Sequence, residues 1–142
     1  MAKQISVFME NKPGKLQAIT EVLFKNNINI RAMTIQDRGE YGLMKLLVDK
    51  PNQAHLALLD KGFASALKDV LAILIDDKPG GLNELAKVFL KNNINILDSY
   101  GFVIESSREA VWCVEVDDIA AIKDIVNKEN FKVLEDQELY EI

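Results

Sequence analysis

The sequence is poor in the residues from which metal, disulfide and nucleophilic sites are built. Its 142 residues include one cysteine, Cys113, and one histidine, His55. A single cysteine excludes an internal disulfide and a cysteine-based zinc site. A catalytic cysteine needs a base beside it, and His55 lies in the other half of the chain. We therefore expect no metal, no cofactor and no cysteine-based catalysis.

Long apolar runs and an excess of positive charge are also missing. No apolar run approaches the roughly 20 residues that a membrane-spanning helix needs, and the first four residues do not begin a signal peptide. The net charge of −5 opposes binding to nucleic-acid phosphates, because that affinity comes mainly from clustered lysine and arginine. We expect a cytoplasmic protein with no membrane or nucleic-acid partner.

What the sequence does have is a repeat with a shift of 66 residues. Residues 11–30 and 77–96 are identical at 11 of 20 positions, including the tripeptide Lys-Pro-Gly and the hexapeptide Lys-Asn-Asn-Ile-Asn-Ile. A shift of this length exceeds that of solenoid repeats and equals the size of a small domain. We predict two domains, residues 1–69 and 70–142.

The apolar pattern predicts the same order of elements in both copies. Alternating apolar residues indicate strands, and apolar residues three and four positions apart indicate helices. For the first copy we predict strands over 5–9, 28–36, 43–48 and 63–68, with helices over 15–26 and from Pro51 to Gly62. For the second we predict strands over 70–75, 94–104, 111–116 and 131–134, helices after Gly80 and after Asp117 or Asp118, and a last extended piece over 139–142.

Some side chains carry finer predictions. Leu56 and Leu59 are expected to face the core from the second helix. The pairs Asn26-Asn27 and Asn92-Asn93 are expected to end their helices, because asparagine tolerates the left-handed conformation of a helix stop. Asn130 stands where Gly62 stands in the first copy, but 68 positions later, so the intervening hairpin of the second copy has gained two residues.

Each copy therefore reads βαββαβ. This order gives an antiparallel sheet with both helices on one face, the ferredoxin-like arrangement. We predict an α+β fold of two ferredoxin-like domains in tandem.

The turn before the first helix of each copy is the informative segment. Gly14 and Gly80 lack a Cβ, so a ligand can approach the backbone there. They stand where a helix begins, with its free N–H groups and positive dipole end, which suits a small carboxylate. Asn29 and Asn95 are expected to open the second strand of each copy, and an asparagine amide can both donate and accept hydrogen bonds.

These turns, each followed by Asn-Ile-Asn-Ile, resemble the signature of ACT domains, which are amino-acid-sensing regulatory modules. The resemblance covers both copies. The chain as a whole resembles stand-alone tandem ACT proteins, which carry no catalytic domain. In that family the glycine turn and the start of the second strand form an effector site at an interface between two ACT domains. The resemblance implies eight ligand-binding residues: Asn11, Gly14, Leu16, Asn29, Asp77, Gly80, Leu82 and Asn95.

The resemblance also implies that the two sites are unequal. The serine-sensing domains of the family have a histidine two positions before the turn asparagine, and this chain has Met9 there. Asp77 replaces Asn11 in the second copy, and an ionised carboxylate repels an incoming carboxylate. We expect the site that uses Asn11 to be the better amino-acid binder, completed by the other copy near Asn95, Leu97 and Ser99.

The leading hypothesis is a non-catalytic regulatory protein that binds a small amino acid, forms a homodimer and acts on an enzyme of amino-acid metabolism. The alternative is a dedicated regulatory subunit of one biosynthetic enzyme, such as acetolactate synthase. An enzyme or nucleic-acid binder on the same fold finds no support in the motifs. A purely structural interpretation also stays open, in which Asn11 and Asp77 are plain helix N-caps.

Overall fold

The computed structural model describes all residues, 1–142, and the chain divides into two compact units. The first unit is Lys3–Lys68 with Glu141. The second is Asp69–Tyr140 with Met1–Ala2 and Ile142. Each unit has its own apolar core.

The first unit has the predicted βαββαβ order. Its elements are β1 (Ala2–Met9), α1 (Lys15–Lys25), β2 (Ile30–Asp37), β3 (Gly42–Val48), α2 (Pro51–Asp60) and the first residues of β4 (Ala64–Asp76). The strands lie in the order β2-β3-β1-β4, and β3 is antiparallel to both β1 and β2.

Alternation along the strands builds the core of this unit. Val7 of β1 lies opposite Met44 of β3, and both side chains are fully buried. They share one buried cluster with residues of both helices, so α1 and α2 cover the same face of the sheet. The cluster residues contributed by the helices are Ile19, Val22, Leu23, Ala54 and Leu58.

The second unit repeats the arrangement. It comprises the rest of β4, α3 (Gly81–Lys91), β5 (Asp98–Glu105), β6 (Glu109–Glu115), α4 (Ile119–Lys128), β7 (Val133–Leu134) and α5 (Asp136–Tyr140). The strand order is β5-β6-β4-β7, and the pairings of β4 with β6 and β7, and of β5 with β6, are antiparallel. The rings of Phe89 and Trp112 pack 5.4 Å apart in its core. The two ferredoxin-like folds in tandem are confirmed.

The strands predicted over 63–68 and 70–75 are one continuous strand, β4, of 13 residues. Neither glycine nor proline interrupts the sequence between them. A single strand therefore serves as the fourth strand of the first unit and the first strand of the second.

Asparagines end α1 and α3 as predicted. Asn27 and Asn93 have φ of 55° and 53°, the left-handed conformation of a Schellman stop. In this motif the N–H of Ile28 donates to the Leu23 carbonyl at 3.0 Å, and that of Ile94 donates to Phe89 at 2.9 Å.

The same stops correct the predicted second strands. Because the N–H groups of Ile28 and Ile94 close the helices, these residues cannot donate to a sheet. β2 begins at Ile30 and β5 only at Asp98. The prediction that Asn29 and Asn95 open these strands is therefore wrong, since both lie in the connection after the helix stop.

Gly62 and Asn130 are equivalent, as their spacing predicts, with φ of 84° and 66°. The N–H of Phe131 donates to Val126 at 3.2 Å in the stop of α4. This bond removes Phe131 from the sheet, so β7 is shorter than the predicted strand over 131–134.

Two further predictions are wrong. In α2, Leu56 and Leu59 are 66% and 46% exposed, whereas Leu58 is fully buried with Ala54. Because leucines occupy positions 56, 58 and 59, two different faces of the helix could be the buried one. The buried face consists of Pro51, Ala54 and Leu58. The piece over 139–142, predicted as extended, begins with the last two residues of the short helix α5, in which the N–H of Leu139 donates to the Glu135 carbonyl at 3.0 Å.

Candidate functional site

Gly14 sets the start of α1. It is the N-cap residue with φ of 93°, and no side chain caps the helix. A Cβ at Gly14 would meet nothing within 4 Å, so the left-handed φ, rather than crowding, requires glycine. The N–H groups of Leu16 and Gln17 in the first turn have no intrahelical acceptor, and both residues are exposed.

Asn11 lies beside this helix start, exposed and with no hydrogen-bond partner for its amide. It lines a cleft of about 450 Å³ between the turn and the β2–β3 hairpin. The other lining residues are Glu10, Lys12, Asp37, Gly39 and Glu40.

The charges of this cleft are only partly compensated. Lys12 Nζ lies 2.6 Å from the Glu10 carboxylate. That hydrogen bond lowers the pKa of Glu10, with a further contribution from Lys15, and Glu10 raises the pKa of Lys12. Asp37 accepts a hydrogen bond from the Gly39 N–H at 2.9 Å. The hairpin therefore brings two further negative charges, from Asp37 and Glu40, to the cleft that the free amide of Asn11 lines.

The turn before α3 has the same backbone but a different side-chain arrangement. Gly80 is the N-cap with φ of 89°, again without a side-chain cap. Asp77 Oδ2 accepts a hydrogen bond from the Ser107 N–H at 2.7 Å, and the Asp77 N–H donates to the Arg108 carbonyl at 3.0 Å. Asp77 thus ties the turn to the β5–β6 hairpin. The interpretation of Asn11 and Asp77 as helix N-caps is wrong, because neither side chain bonds the helix.

The first residues of the two helices also differ. A Cβ on Gly81 would lie 2.0 Å from the Asp76 carbonyl oxygen, so this position admits only glycine. The equivalent residue of α1 is Lys15, whose charge acts on Glu10. Leu16 and Leu82, one position further, are 42% and 45% exposed.

Asn29 lies at the far end of α1. It lines a cleft of about 370 Å³ with Phe24, Asn27, Ile28, Asp49 and Lys50. Its N–H donates to Asp49 Oδ1 at 2.9 Å, and the Asp49 N–H donates back to its carbonyl at 3.1 Å. Asn95 lines the corresponding cleft of about 340 Å³ after α3, with Phe89, Leu90, Asn93 and Ile94.

No single unit therefore brings the predicted residues together. Asn11 and Asn29 flank opposite ends of α1, whose 11 residues span about 16 Å at the usual helical rise. Asp77 and Asn95 are separated in the same way by α3. Asn11 and Asn29 line two different clefts, and the cleft that Asn95 lines does not include Asp77.

Sequence reasoning missed the residues that surround the predicted ones. Asp37 and Glu40 line the Asn11 cleft, Asp49 holds the backbone of Asn29, and Ser107 holds Asp77. A signal was available for Asp49, because Asp117 repeats it at the end of the third strand of the second copy. The hairpin residues gave none, since this is where the two copies differ in length.

The remaining reactive side chains lie elsewhere. Cys113 is buried, and burial raises the pKa of its thiol to about 12. His55 Nδ1 lies 2.8 Å from Ser65 Oγ. No group of three or more His, Cys, Asp or Glu residues is placed to hold a metal ion. No helix is both long and apolar enough to cross a membrane.

Comparison with known proteins gives a match over the whole chain. The model of a family described as an ACT domain pair matches residues 1–142. No curated protein matches significantly.

Among solved structures, the chain is similar to protein BT0572 from Bacteroides thetaiotaomicron, with 30% identity, a TM-score of 0.92, and 99% of this chain and 96% of that chain covered. It is also similar to the ligand-free regulatory subunit of aspartate kinase from Thermus thermophilus, with 16% identity, a TM-score of 0.66, and 90% and 92% covered. This second likeness is one of fold.

Proposed function

The chain belongs to the ACT domain pair family, and from that premise we propose that it is a non-catalytic regulatory protein that binds a small amino acid at the turn before α1. The ligand lies at an interface between two ACT domains. The observation that carries the proposal is the open first turn: the free amide of Asn11 lines a cleft of about 450 Å³, and the uncapped start of α1 at Gly14 follows three residues later in the chain.

The chemistry of this cleft suits a zwitterion. The N–H groups at the start of α1 and the charge of Lys15 favour a carboxylate. Asp37 and Glu40 favour an ammonium group. Asn11 can bond either group, because its amide carries both an acceptor and donors.

A second ACT domain is needed to complete the site. Asn29 and Asn95 are separated by a helix length from the turns of their own units, so either can contact a ligand at Asn11 only from another domain. We propose a homodimer in the cytoplasm and an enzyme of amino-acid metabolism as the regulated partner. The fold likeness to a regulatory subunit of aspartate kinase makes a dedicated subunit of one biosynthetic enzyme the second candidate.

A thermal-shift screen of the twenty amino acids tests the proposal. A ligand at about 100 times its Kd adds about 2.7 kcal/mol to the free energy of unfolding, which is readily measured. We expect at least one amino acid to raise Tm in the wild type and to fail with Asn11→Ala. If no amino acid raises Tm at millimolar concentration, the sensor proposal is wrong.

The choice between the two candidates needs a different measurement. Affinity capture from the native cytosol, with and without the amino acid that raises Tm, identifies stable partners. Stoichiometric recovery of one biosynthetic enzyme supports the dedicated subunit.

A further inference from the structure

A groove in the first unit lies apart from the turns discussed above. It runs between the C-terminal half of α1 and the segment that follows α2, and has a volume of about 320 Å³. This is at the lower end of the range for small-molecule sites. Its floor is apolar, formed by Ala18, Val22 and Phe63, and its rim carries Lys25 and Lys61.

The charges of this rim leave an excess of one positive charge. Lys25 Nζ lies 3.4 Å from Glu21 on the next turn of α1, and Glu21 also lines the groove. Lys61 has no ion-pair partner. The charges of the two lysines and the one carboxylate therefore sum to +1. A lysine beside an apolar surface can lay its aliphatic chain on that surface and keep its ammonium group in water.

The second unit supplies an internal comparison at the equivalent positions. Val88, Asn92 and Phe131 repeat Val22, Asn26 and Phe63. The side-chain amides of Asn26 and Asn92 each donate at 2.8 Å to the carbonyl four residues earlier, so the helix ends beside these residues have the same geometry.

The charged residues at the equivalent positions differ between the two units. Glu129 stands where Lys61 stands in the first unit, and it pairs with Lys91 at 3.1 Å. Glu84 stands where Ala18 stands. In the second unit the charged side chains at these positions pair with one another, Glu84 with Lys87 and Lys91 with Glu129, and their charges sum to zero. The first unit keeps one uncompensated lysine.

We propose that the groove of the first unit binds a small monocarboxylate with an aliphatic body. The carboxylate lies between Lys25 and Lys61, and the aliphatic part covers Val22 and Phe63. The single negative charge of a monocarboxylate matches the excess charge of +1 in the groove. The apolar floor favours a ligand with an aliphatic group, which a simple inorganic anion lacks. This site is independent of the amino-acid site at Asn11.

The test is a titration of the full chain with 4-methylpentanoate, followed by amide chemical shifts in NMR. We expect saturable shifts at Ala18, Val22 and Phe63. Acetate lacks the aliphatic body and 4-methylpentanamide lacks the charge, so both should bind at least several-fold more weakly. Equal responses to acetate, to phosphate or to the amide would overturn the proposal, as would the absence of saturable shifts at these residues.

Matched variants separate the groove from general surface charge. Lys61→Glu changes the net charge of the first groove from +1 to −1 and should weaken binding about tenfold, since it replaces an attraction by a repulsion. Lys128→Glu makes the same change of net charge on α4, outside both grooves, and should leave binding unchanged. Equal losses in the two variants would show a nonspecific effect and refute the site. Circular dichroism of both variants checks that the fold is retained.

Discussion

The turns before α1 and α3 have nearly the same backbone and opposite side-chain behaviour. Both are built on Lys-Pro-Gly with a left-handed glycine, and neither helix has a side-chain cap. Asn11 keeps its amide free, whereas the carboxylate of Asp77 is bonded to Ser107 at 2.7 Å. Both copies thus have the glycine turn and the uncapped helix start that can bind a carboxylate. The side chain beside that helix start is a free asparagine in the first copy and a bonded aspartate in the second. A repeated turn is therefore evidence of a shared fold, and only the free side chain distinguishes a candidate site.

The difference extends to the residues around each turn. The first has Lys15 at the start of its helix, and the second has Gly81, which the Asp76 carbonyl requires. Asp77 bonds the second turn to the β5–β6 hairpin, whereas the amide of Asn11 makes no such bond in the first turn. The account predicts that substitutions will reduce stability in the second turn and reduce ligand binding in the first.

The largest stability difference is expected between Gly81→Ala and Lys15→Ala. The new Cβ at position 81 would lie 2.0 Å from a backbone oxygen, so the helix or the strand end must move. We expect a loss of about 1–3 kcal/mol in the free energy of unfolding, as for other overpacked sites. Lys15→Ala, at the equivalent position of α1, should stay within about 0.5 kcal/mol.

Urea denaturation of the two variants measures both values. A Gly81→Ala variant as stable as the wild type would mean that α3 can move away from the end of β4 at little cost. The requirement for glycine at position 81, which position 15 lacks, would then be contradicted.

The next difference is between Asp77→Ala and Asn11→Ala. Removing the carboxylate leaves the Ser107 N–H without its acceptor, and a hydrogen bond to a charged group contributes about 1.5–3 kcal/mol. Because this turn is at the surface, we expect the lower part of that range. Asn11→Ala removes no bond and should change the free energy of unfolding by less than about 0.5 kcal/mol.

The same denaturation experiment checks this pair. Asp77→Asn is the matched control, because its amide oxygen can still accept from Ser107, and it should recover most of the loss. Equal stabilities for Asp77→Ala and Asn11→Ala would contradict the assignment of Asp77 to a structural role.

The smallest effect concerns Glu135, which belongs to the second unit. Its hydrogen bonds to Lys123 and then to the Met1 amine lower its pKa from 4.5 to about 2. A lowered folded-state pKa gives stability that is present above pH 4.5 and is lost as the pH falls toward 2. The side chain is 42% exposed, so we expect less than about 1 kcal/mol.

Unfolding curves of the wild type and Glu135→Gln, measured across this acid range, test the linkage. The variant should be less stable at neutral pH, and the two curves should converge as the pH approaches 2. A constant difference across the range would show that the effect comes from packing rather than from charge.

The repeat and the apolar periodicity were sufficient to predict both folds. The helix stops at Asn27 and Asn93 followed from local chemistry, because left-handed asparagine is a property of the residue itself. The buried face of α2 could not be predicted from the sequence, because Leu56, Leu58 and Leu59 are compatible with two different apolar faces. Only tertiary packing buries Leu58 and leaves the other two exposed. The short helix α5 was missed because a segment of five residues has almost no periodicity to detect.

The candidate site was predictable only in part. The glycine turns are local features, and their left-handed conformation was foreseeable from the sequence. The bond between Asp77 and Ser107 spans 30 residues and depends on a hairpin that differs in length between the copies. The separation of Asn11 from Asn29 was already implied by the helix predicted over 15–26, because a helix of this length holds its two ends about 16 Å apart. Long-range partners therefore had to come from the structure.

The central claim is that the first turn binds an amino acid and the second does not. It is tested most directly by isothermal titration of the amino acid that raises Tm into wild type, Asn11→Ala and Asp77→Ala. We predict that Asn11→Ala weakens binding by about tenfold or more, as the loss of about 1.4 kcal/mol implies, while Asp77→Ala binds like the wild type. Unchanged binding in Asn11→Ala together with lost binding in Asp77→Ala would contradict the account.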